Sequence, residues 1–574
     1  MSSAVNWNVR PGSWGSPFRH TCNPSADTFP AQNGISYLRR EYRQALMILM
    51  TLVGLVLFIA CANVANLLLA RGESRRREIA IRIAVGGGRG RLMCQLLTES
   101  LLLSGAGAAL GIFFAAWGAR VLVRFLDASV DLAPDFRVLA FTSGAAILTG
   151  LLFGIAPAWR ATRVDPQAAL KAKPAGGSDG ARFGMGKTLV IAQVALSLLL
   201  VVGAGLMLST FWKLVSLDAG FDRSHVLLAT VDLRDVNYPQ ERWSAVYREM
   251  LEQLRAAPGV HSASVSSVTP VCHCRWAGEV EVDGYSPKSR EDSLAGFNNV
   301  SDDYFESIGT SILAGRDFNN HDTATSLKVA IVSQSFARKY FGEANPIGQH
   351  FRMRDGTLGD PIQIVGVVKD AKYGSLRDDP APYVFVPWSQ GGVPGPLTSF
   401  ELRAAGGAPT ALIAGAKAGI ARVNRDISIE FRTLADKVDD SIQREQLLAA
   451  LSGLFGLLAL GLAGLGLYGV MSYNVARRRS EIGIRMALGA RQSRVVGMVL
   501  GEAAVLVATG LAIGCAAAMG TTHFVAGFLY GMKASDPTTF AVAAGVLGMV
   551  AALAGFLPAR RAARVDPMNA LREE

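Results

Sequence analysis

Cysteine is scarce in this chain: six in 574 residues, too few and too scattered for a disulfide-built scaffold. Charge is thin as well. Asp, Glu, Lys and Arg make up 18% of the residues, below the share usual for a soluble globular domain, which argues against a purely cytosolic enzyme. The first 35 residues lack the apolar core of a signal peptide. A net charge of +11 and a pI near 9.5 do not indicate nucleic acid, because the basic residues sit in short loops beside long apolar runs with few aromatics among them. What the chain has is apolarity. Half of it is hydrophobic and its mean hydropathy is +0.28; 61 Gly and abundant Ala suit helices that approach closely in lipid. The sequence reads as an integral membrane protein.

A helix needs roughly 18–20 apolar residues to cross a bilayer. Seven runs qualify, at about 46–70, 97–123, 138–159, 188–211, 445–470, 499–527 and 539–558. Between the fourth and fifth lies a polar region, about 212–444, with strand-like runs at Val329-Ala330-Ile331-Val332 and Ile364-Val365-Gly366-Val367-Val368. An amphipathic stretch near 239–256 is closed by Pro258-Gly259. This is a folded domain inserted between two membrane blocks.

Orientation follows from the Lys/Arg bias of short loops. Arg71, Arg75, Arg76, Arg77, Arg82, Arg89 and Arg91 fill one loop, and Arg160, Arg163, Lys171, Lys173, Arg182 and Lys187 another. Arg477, Arg478, Arg479, Arg485, Arg491 and Arg494 fill a third, and Arg560, Arg561, Arg564 and Arg572 lie in the tail. The short loops 124–137 and 528–538 carry Asp127, Asp131, Asp135 and Asp536 instead. Seven spans with the basic loops inside put the C-terminus in the cytoplasm and 212–444 outside. Arg39, Arg40 and Arg43, beside the first span, run against the rule.

The chain repeats itself. Arg76-Arg77-Glu78-Ile79-Ala80-Ile81-Arg82-Ile83-Ala84-Val85-Gly86 recurs 403 residues later as Arg479-Ser480-Glu481-Ile482-Gly483-Ile484-Arg485-Met486-Ala487-Leu488-Gly489, with Arg91 matching Arg494 and Glu99 matching Glu502. Pro157-Ala158-Trp159-Arg160-Ala161-Thr162-Arg163-Val164-Asp165-Pro166 is answered by Pro558-Ala559-Arg560-Arg561-Ala562-Ala563-Arg564-Val565-Asp566-Pro567. Each block is a span, a basic amphipathic loop, two spans and a basic exit. Ile79, Ile83 and Leu92 on one face, with Arg75, Arg82 and Arg89 elsewhere, read as a helix along the inner membrane surface. Anchoring alone needs no acidic residue, so the recurring Glu78/Glu481 and Arg82/Arg485 point to a surface for a partner.

These residues resemble permease subunits of MacB/FtsX/LolC/E-type ABC transporters. Arg-Arg-x-Glu-Ile-x-Ile-Arg-x-Ala-x-Gly is similar to their cytoplasmic coupling segment, and Pro-x-x-x-Ala-x-x-Val-Asp-Pro-x-x-Ala-Leu to their exit from the last span. Gly220-Phe221, Tyr304-Phe305 with Gly309, Gly315-Arg316-x-Phe318, Val329–Ser333, Phe341-Gly342, Pro346-Ile347-Gly348 and Ile364–Val368 with Asp370 resemble the MacB-type periplasmic domain. Two blocks in one chain are similar to duplicated (ADOP-type) orphan permeases.

The resemblance implies a membrane α-helical fold of about seven spans in two FtsX-like blocks, with an α+β periplasmic domain inserted. Its divisions are 46–170 for the first block, 171–187 for a cytoplasmic linker, 188–211 for a span, 212–444 for the periplasmic domain and 445–574 for the second block. Residues 1–45 are an unassigned N-terminal segment: 1–35 match nothing, and Tyr37-Leu38-Arg39-Arg40-Glu41-Tyr42-Arg43 resembles the tail of a missing first periplasmic domain. The resemblance further implies a bacterial inner-membrane permease with no ATPase of its own and no cofactor. A separate cytosolic ATPase would dock on Arg77, Glu78, Arg82 and Gly86 and on Arg479, Glu481, Arg485 and Gly489, its motion passing through the spans to a periplasmic adaptor or outer-membrane partner. Relatives suggest hydrophobic drugs, lipoproteins or peptides as substrates. A signalling role toward a cell-wall hydrolase, like that of FtsX, and an inert shortened copy are the alternatives.

Two motifs tempt toward other chemistry. Ala181-Arg182-Phe183-Gly184-Met185-Gly186-Lys187-Thr188 approximates a phosphate loop, but a linker precedes it and a span follows, where a strand and a soluble helix are required. Cys272-His273-Cys274 is the only local metal-like cluster, and zinc wants four ligands at wider spacing. In an oxidising compartment one of these cysteines can pair with Cys22, or the two can close a strained bond. Asn63, Asn66, Glu99 and Glu502 are polar groups in or beside lipid, suited to hydration or helix pairing.

Overall fold

The structure, a computed structural model, describes residues 37–74, 89–126, 136–144, 146–148, 151, 180–234, 236, 238–272, 276–355, 357–391, 394–488 and 491–563. Three long helices come first: α1 (Tyr37–Ser74), α2 (Arg89–Leu126) and α3 (Gly180–Val215). Then follow β1 (Val226–Asp232), α4 (Trp243–Arg255), β2 (Val260–Ser266), β3 (Ala277–Val282), β4 (Leu294–Val300), α5 (Tyr304–Ile308), β5 (Ile312–Gly315) and β6 (Val329–Ser333). The domain continues with α6 (Gln334–Phe341), β7 (His350–Asp355), β8 (Thr357–Leu358), β9 (Ile362–Val368), β10 (Tyr383–Pro387), β11 (Leu397–Ala404), α7 (Ile413–Val423), β12 (Ser428–Thr433) and α8 (Leu434–Ser441). The chain closes with α9 (Gln443–Arg477), α10 (Arg479–Ala487), α11 (Gln492–Ala526) and α12 (Pro537–Ala562).

Residues 212–444 make one compact unit and the flanking helices another. In the first, β2-β11-β1-β12 form an antiparallel sheet. Helix α4 joins β1 to β2 and α7 joins β11 to β12, which is a split βαβ arrangement. Alternation puts Leu227, Ala229 and Val231 of β1 and Phe400 and Leu402 of β11 on the helix side, with Tyr247, Met250 and Leu254 of α4 and Ala416 and Ile420 of α7. The expected amphipathic stretch is α4.

Everything between β2 and β11 is an insertion in that sheet. There β4-β3-β7-β9-β6-β10 close a six-stranded ring, because β10 pairs with β6 on one side and in parallel with β4 on the other. Phe297, Ala330, Val332, Ile364 and Val384 fill it with Phe336 and Tyr340 of α6. The strand-like runs of the sequence are β6 and β9, paired in parallel. Turn chemistry fixes the corners. Gly315 has φ +82°, and a Cβ there would strike the Val365 carbonyl, so the turn demands glycine. Asp370 accepts from the Ser335 amide at 2.8 Å and its hydroxyl at 2.6 Å, holding the first turn of α6.

In the helical unit, six helices among the described residues are long and apolar enough to span a membrane: Leu46–Asn66, Met93–Arg120, Gly186–Val215, Gln443–Arg477, Gln492–Thr521 and Pro537–Arg561. The third expected span, 138–159, is described as a shorter apolar helix, Phe136–Leu148, and 152–159 lie outside the described residues. Val194, Leu198, Leu467, Val507 and Leu547 bind α3, α9, α11 and α12 into one core. Ile59 adds α1 by packing with Leu200 and Ala459.

Candidate functional site

The second copy of the repeated basic motif is helix α10, nine residues between two long apolar helices. Ile482 is only 1% exposed and packs with Val495 of α11; Val475 of α9, Met486 and Met498 surround them. Ile482, Met486 and Val495 are the repeat mates of Ile79, Ile83 and Leu92. Here the apolar face expected to meet lipid meets helices instead, because α10 turns back into the angle between α9 and α11.

The other face carries a chain of charges. Arg478 reaches Glu502 of α11 at 2.6 Å and Glu481 at 3.9 Å. Glu481 pairs with Arg485 at 2.7 Å, four residues on, and Arg485 also lies 2.9 Å from the Met498 sulfur. Each partner is a third to a half exposed, so each pair contributes about 0.2–1 kcal/mol. The pairs steer the helix more than they stabilise it. Ile484 and Leu488 point outward, Leu488 with 82% of its surface exposed.

Of the expected coupling residues, Glu481 and Arg485 are thus brought together on α10. Arg479 opens that helix, its side chain outside what is described; Arg77, Glu78, Arg82, Gly86 and Gly489 lie outside the described residues. Glu502 is a helix-pairing residue through Arg478. Ala181–Thr188 lies within α3, so its backbone is continuous helix and no loop exists to cradle phosphate. Cys272 is disulfide-bonded, while Cys61, Cys94 and Cys515 form no disulfide; Cys22 and Cys274 lie outside the described residues.

Two polar clusters escape a reading of sequence alone. Among the spans, Asn63 of α1 and Gln193 of α3 both donate to the Leu462 carbonyl of α9, at 2.8 and 2.6 Å, and Ser197 donates to Ala459 at 3.3 Å. Gly466 makes the room, since a Cβ there would overlap both amide side chains. Gln193 is masked in the sequence by the apolar run around it. In the mixed domain, Glu401 is fully buried and accepts from Ser266 at 2.5 Å and Ser264 at 3.0 Å. Burial pushes its pKa up to about 8, against the opposing pull of the two hydroxyls and Lys437. Tyr304 and Tyr373 share a hydrogen bond of 3.0 Å beside it. Its only sequence signal is a lone Glu in an alternating strand.

Comparison with known proteins bears directly on this architecture. The family described as FtsX-like permease C-terminal matches twice, at residues 50–166 and 453–567. The MacB-like periplasmic core domain matches residues 188–422. The chain belongs to the MacB/FtsX permease family. In this permease the FtsX-like block is present twice, flanking the periplasmic domain, in a chain with six membrane-length apolar helices among its described residues. It is 28% identical over 316 residues to the macrolide export ATP-binding/permease protein MacB of Chromobacterium violaceum, covering 52% of this chain and 48% of that protein. It is 29% identical over 331 residues to the protein of the same name from Burkholderia cenocepacia, covering 54% and 47%. The chain thus spans about half the length of the curated relatives it matches. Among solved structures, the periplasmic region of MacB from Actinobacillus actinomycetemcomitans aligns with 15% identity and a TM-score of 0.28, over 40% of this chain and 97% of that one.

Proposed function

We propose that this permease works by mechanotransmission, coupling ATP hydrolysis on a separate cytosolic ATPase to movement of its periplasmic domain. The observation that carries the reading is the construction of α10. Its inner face is wedged between α9 and α11 through Ile482 and Met486, and Arg478 clamps its start to α11 through Glu502. Its outer face presents the Glu481–Arg485 pair with Ile484 and Leu488 exposed. A push on that face reaches α9 and α11 together, and α9 leads in sequence back to β12 and α8 of the periplasmic domain. The repeat supplies a second such segment at 72–95, so one chain takes the place of a permease dimer. The relatives' name supports export of hydrophobic compounds; lipoproteins and peptides are the other substrates that fit transport without a polar pore. A periplasmic adaptor or outer-membrane partner would receive the substrate.

The test is co-purification of the ATPase with Glu78→Lys, Glu481→Lys and the double variant. Internal pairing at exposed positions contributes only about 0.3–0.5 kcal/mol, so insertion and expression stay intact. A repelling charge in the contact lowers ATPase recovery in each single variant and abolishes it, with transport, in the double. Undiminished recovery in the double variant makes these segments anchors only.

A further inference from the structure

Where α3 hands the chain to the periplasmic domain, that domain's own residues enclose a cavity of about 190 Å³. Its walls are Leu214 and Val215 from the last turn of α3, Leu217 and Phe221 from the segment that follows, Leu376 from the loop between β9 and β10, and Val438 of α8. All of these lie within the 212–444 unit. Leu376 and Val438 are 3% and 1% exposed, whereas Val215 and Leu217 are only partly buried, so the α3 side is the more open one.

The polar groups around the cavity are already satisfied by the protein. The Trp212 carbonyl accepts from the Ser216 amide at 3.0 Å and its hydroxyl at 2.8 Å. The Val215 carbonyl accepts from the Arg223 guanidinium at 3.1 Å, and the Ala219 carbonyl from the Lys372 amide at 3.0 Å. Asp218 accepts from the Gly220 amide at 2.9 Å and pairs with Lys369 at 2.6 Å. A buried water wants roughly two to four polar partners, which walls of this kind supply poorly; hydrocarbon suits them better. An apolar cavity of about 150 Å³ holds a benzene ring, so this one has room for a hydrocarbon segment of that size.

Its place in the chain says where such a segment comes from. Val215 is the last residue of the membrane-length stretch Gly186–Val215, and the exposed Trp212 and Lys213 are the residue types that hold a span end at the headgroups. Lipid is the hydrocarbon within reach there. Both signs of charge stand beside the cavity. Arg223 lines it, with one of its about five N–H donors on the Val215 carbonyl. Asp439 follows Val438 on α8, and burial raises its pKa against the pull of Arg223, so the two charges lie within electrostatic reach of each other.

We propose that this cavity binds one acyl chain of a zwitterionic phospholipid from the adjoining leaflet, its phosphate on Arg223 and its ammonium toward Asp439. The chain would lie between the end of α3 and α8, which runs on into α9, and so hold together the two connections through which the periplasmic domain joins the spans. The proposal is independent of ATPase coupling, since none of the basic segments takes part in it.

The test uses the full chain in nanodiscs containing phosphatidylethanolamine with a photoreactive diazirine near the end of one acyl chain, and mass spectrometry of the cross-linked peptides. Label is expected on the peptides that carry Leu376 and Val438, residues too buried for lipid at the surface of a span to touch. Leu217→Trp and, separately, Val215→Trp fill the cavity from its open side and are expected to lose that label while label on the spans stays. Arg223→Gln keeps a donor for the Val215 carbonyl and removes the charge; it is expected to weaken the label at Leu376 and Val438. Label confined to the spans of the unaltered chain overturns the proposal, and so does label at Leu376 and Val438 that survives both tryptophan variants. Equal or stronger labelling by phosphatidylglycerol with the same photoreactive chain overturns the zwitterionic headgroup assignment.

Discussion

The buried carboxyl of Glu401 gives the periplasmic domain a pH dependence that reaches the alkaline side of neutrality. Glu401 sits on β11, facing away from the α4/α7 core, with Ser264 and Ser266 donating to its two oxygens. Burial raises its pKa from 4.5 to about 8, and it lowers that of Lys437 on α8, whose ammonium bonds Thr269. The proton-bound form of Glu401 therefore favours the fold. Below the unfolded value of 4.5 that stabilisation is complete; it drains away as pH rises, until the folded group itself titrates near 8. Glu401→Gln keeps the shape and the acceptor oxygen for a serine but has no proton to lose. In detergent-solubilised full chain, the wild-type thermal midpoint should fall from pH 5 to pH 8 more steeply than that of Glu401→Gln, so the variant gains on the wild type as the medium becomes alkaline. Parallel curves would show that Glu401 is already ionised in the folded domain, its charge borne by Lys437 and the two serines.

Among the elements, α9 is where the two halves of the duplication are stitched. Asn63 belongs to the first block and Gln193 to the span before the periplasmic domain, yet both donate to one carbonyl of α9, over Gly466. Hydrogen bonds between membrane helices contribute about 0.6 kcal/mol each on average, and forced overpacking costs about 1–3 kcal/mol. Gly466→Leu should therefore destabilise the bundle by roughly 2–4 kcal/mol, read as a lowered thermal midpoint in detergent. Gly461→Leu, on the same helix with nothing within 4 Å, should leave it unchanged, and equal effects of the two would remove the stitch from the account. The spans were legible because lipid demands length and apolarity, both properties of a contiguous run. Strands β6 and β9 were legible from their β-branched runs. The pairing of β10 with β4 was not, since a parallel contact between distant strands leaves no local pattern. The inward apolar face of α10 was half legible: periodicity marks Ile482 and Met486 as one face but not whether lipid or helices cover it. Glu481 and Arg485 were found through the repeat, which exposes what one copy hides, whereas Gln193 has no repeat signal and Glu401 no motif.

At the scale of the whole molecule, the distribution of base fixes the expected orientation. The basic exits of both blocks, the 71–95 loop and the 476–498 loop share one side if the spans alternate, and the Asp-bearing loops share the other. Arg39, Arg40 and Arg43 fall on the wrong side under this scheme. Helix α1 begins at Tyr37, so the backbone at Arg39, Arg40 and Arg43 is already helical ahead of the apolar run that starts near Leu46. Their weight is small beside the six or seven basic residues of each inner loop, and it is the overall Lys/Arg imbalance that decides orientation. The matched periplasmic core domain spans 188–422, consistent with Ser286 outside, and Ser178 then belongs to the opposite side with the linker. Single cysteines at each position, in a background lacking the native ones, should separate cleanly with a membrane-impermeant maleimide on intact spheroplasts: Ser286→Cys labels before lysis, Ser178→Cys only after it. Labelling of Ser178→Cys from outside would invert or break the alternation, and with it the cytoplasmic placement of α10 on which ATPase coupling depends.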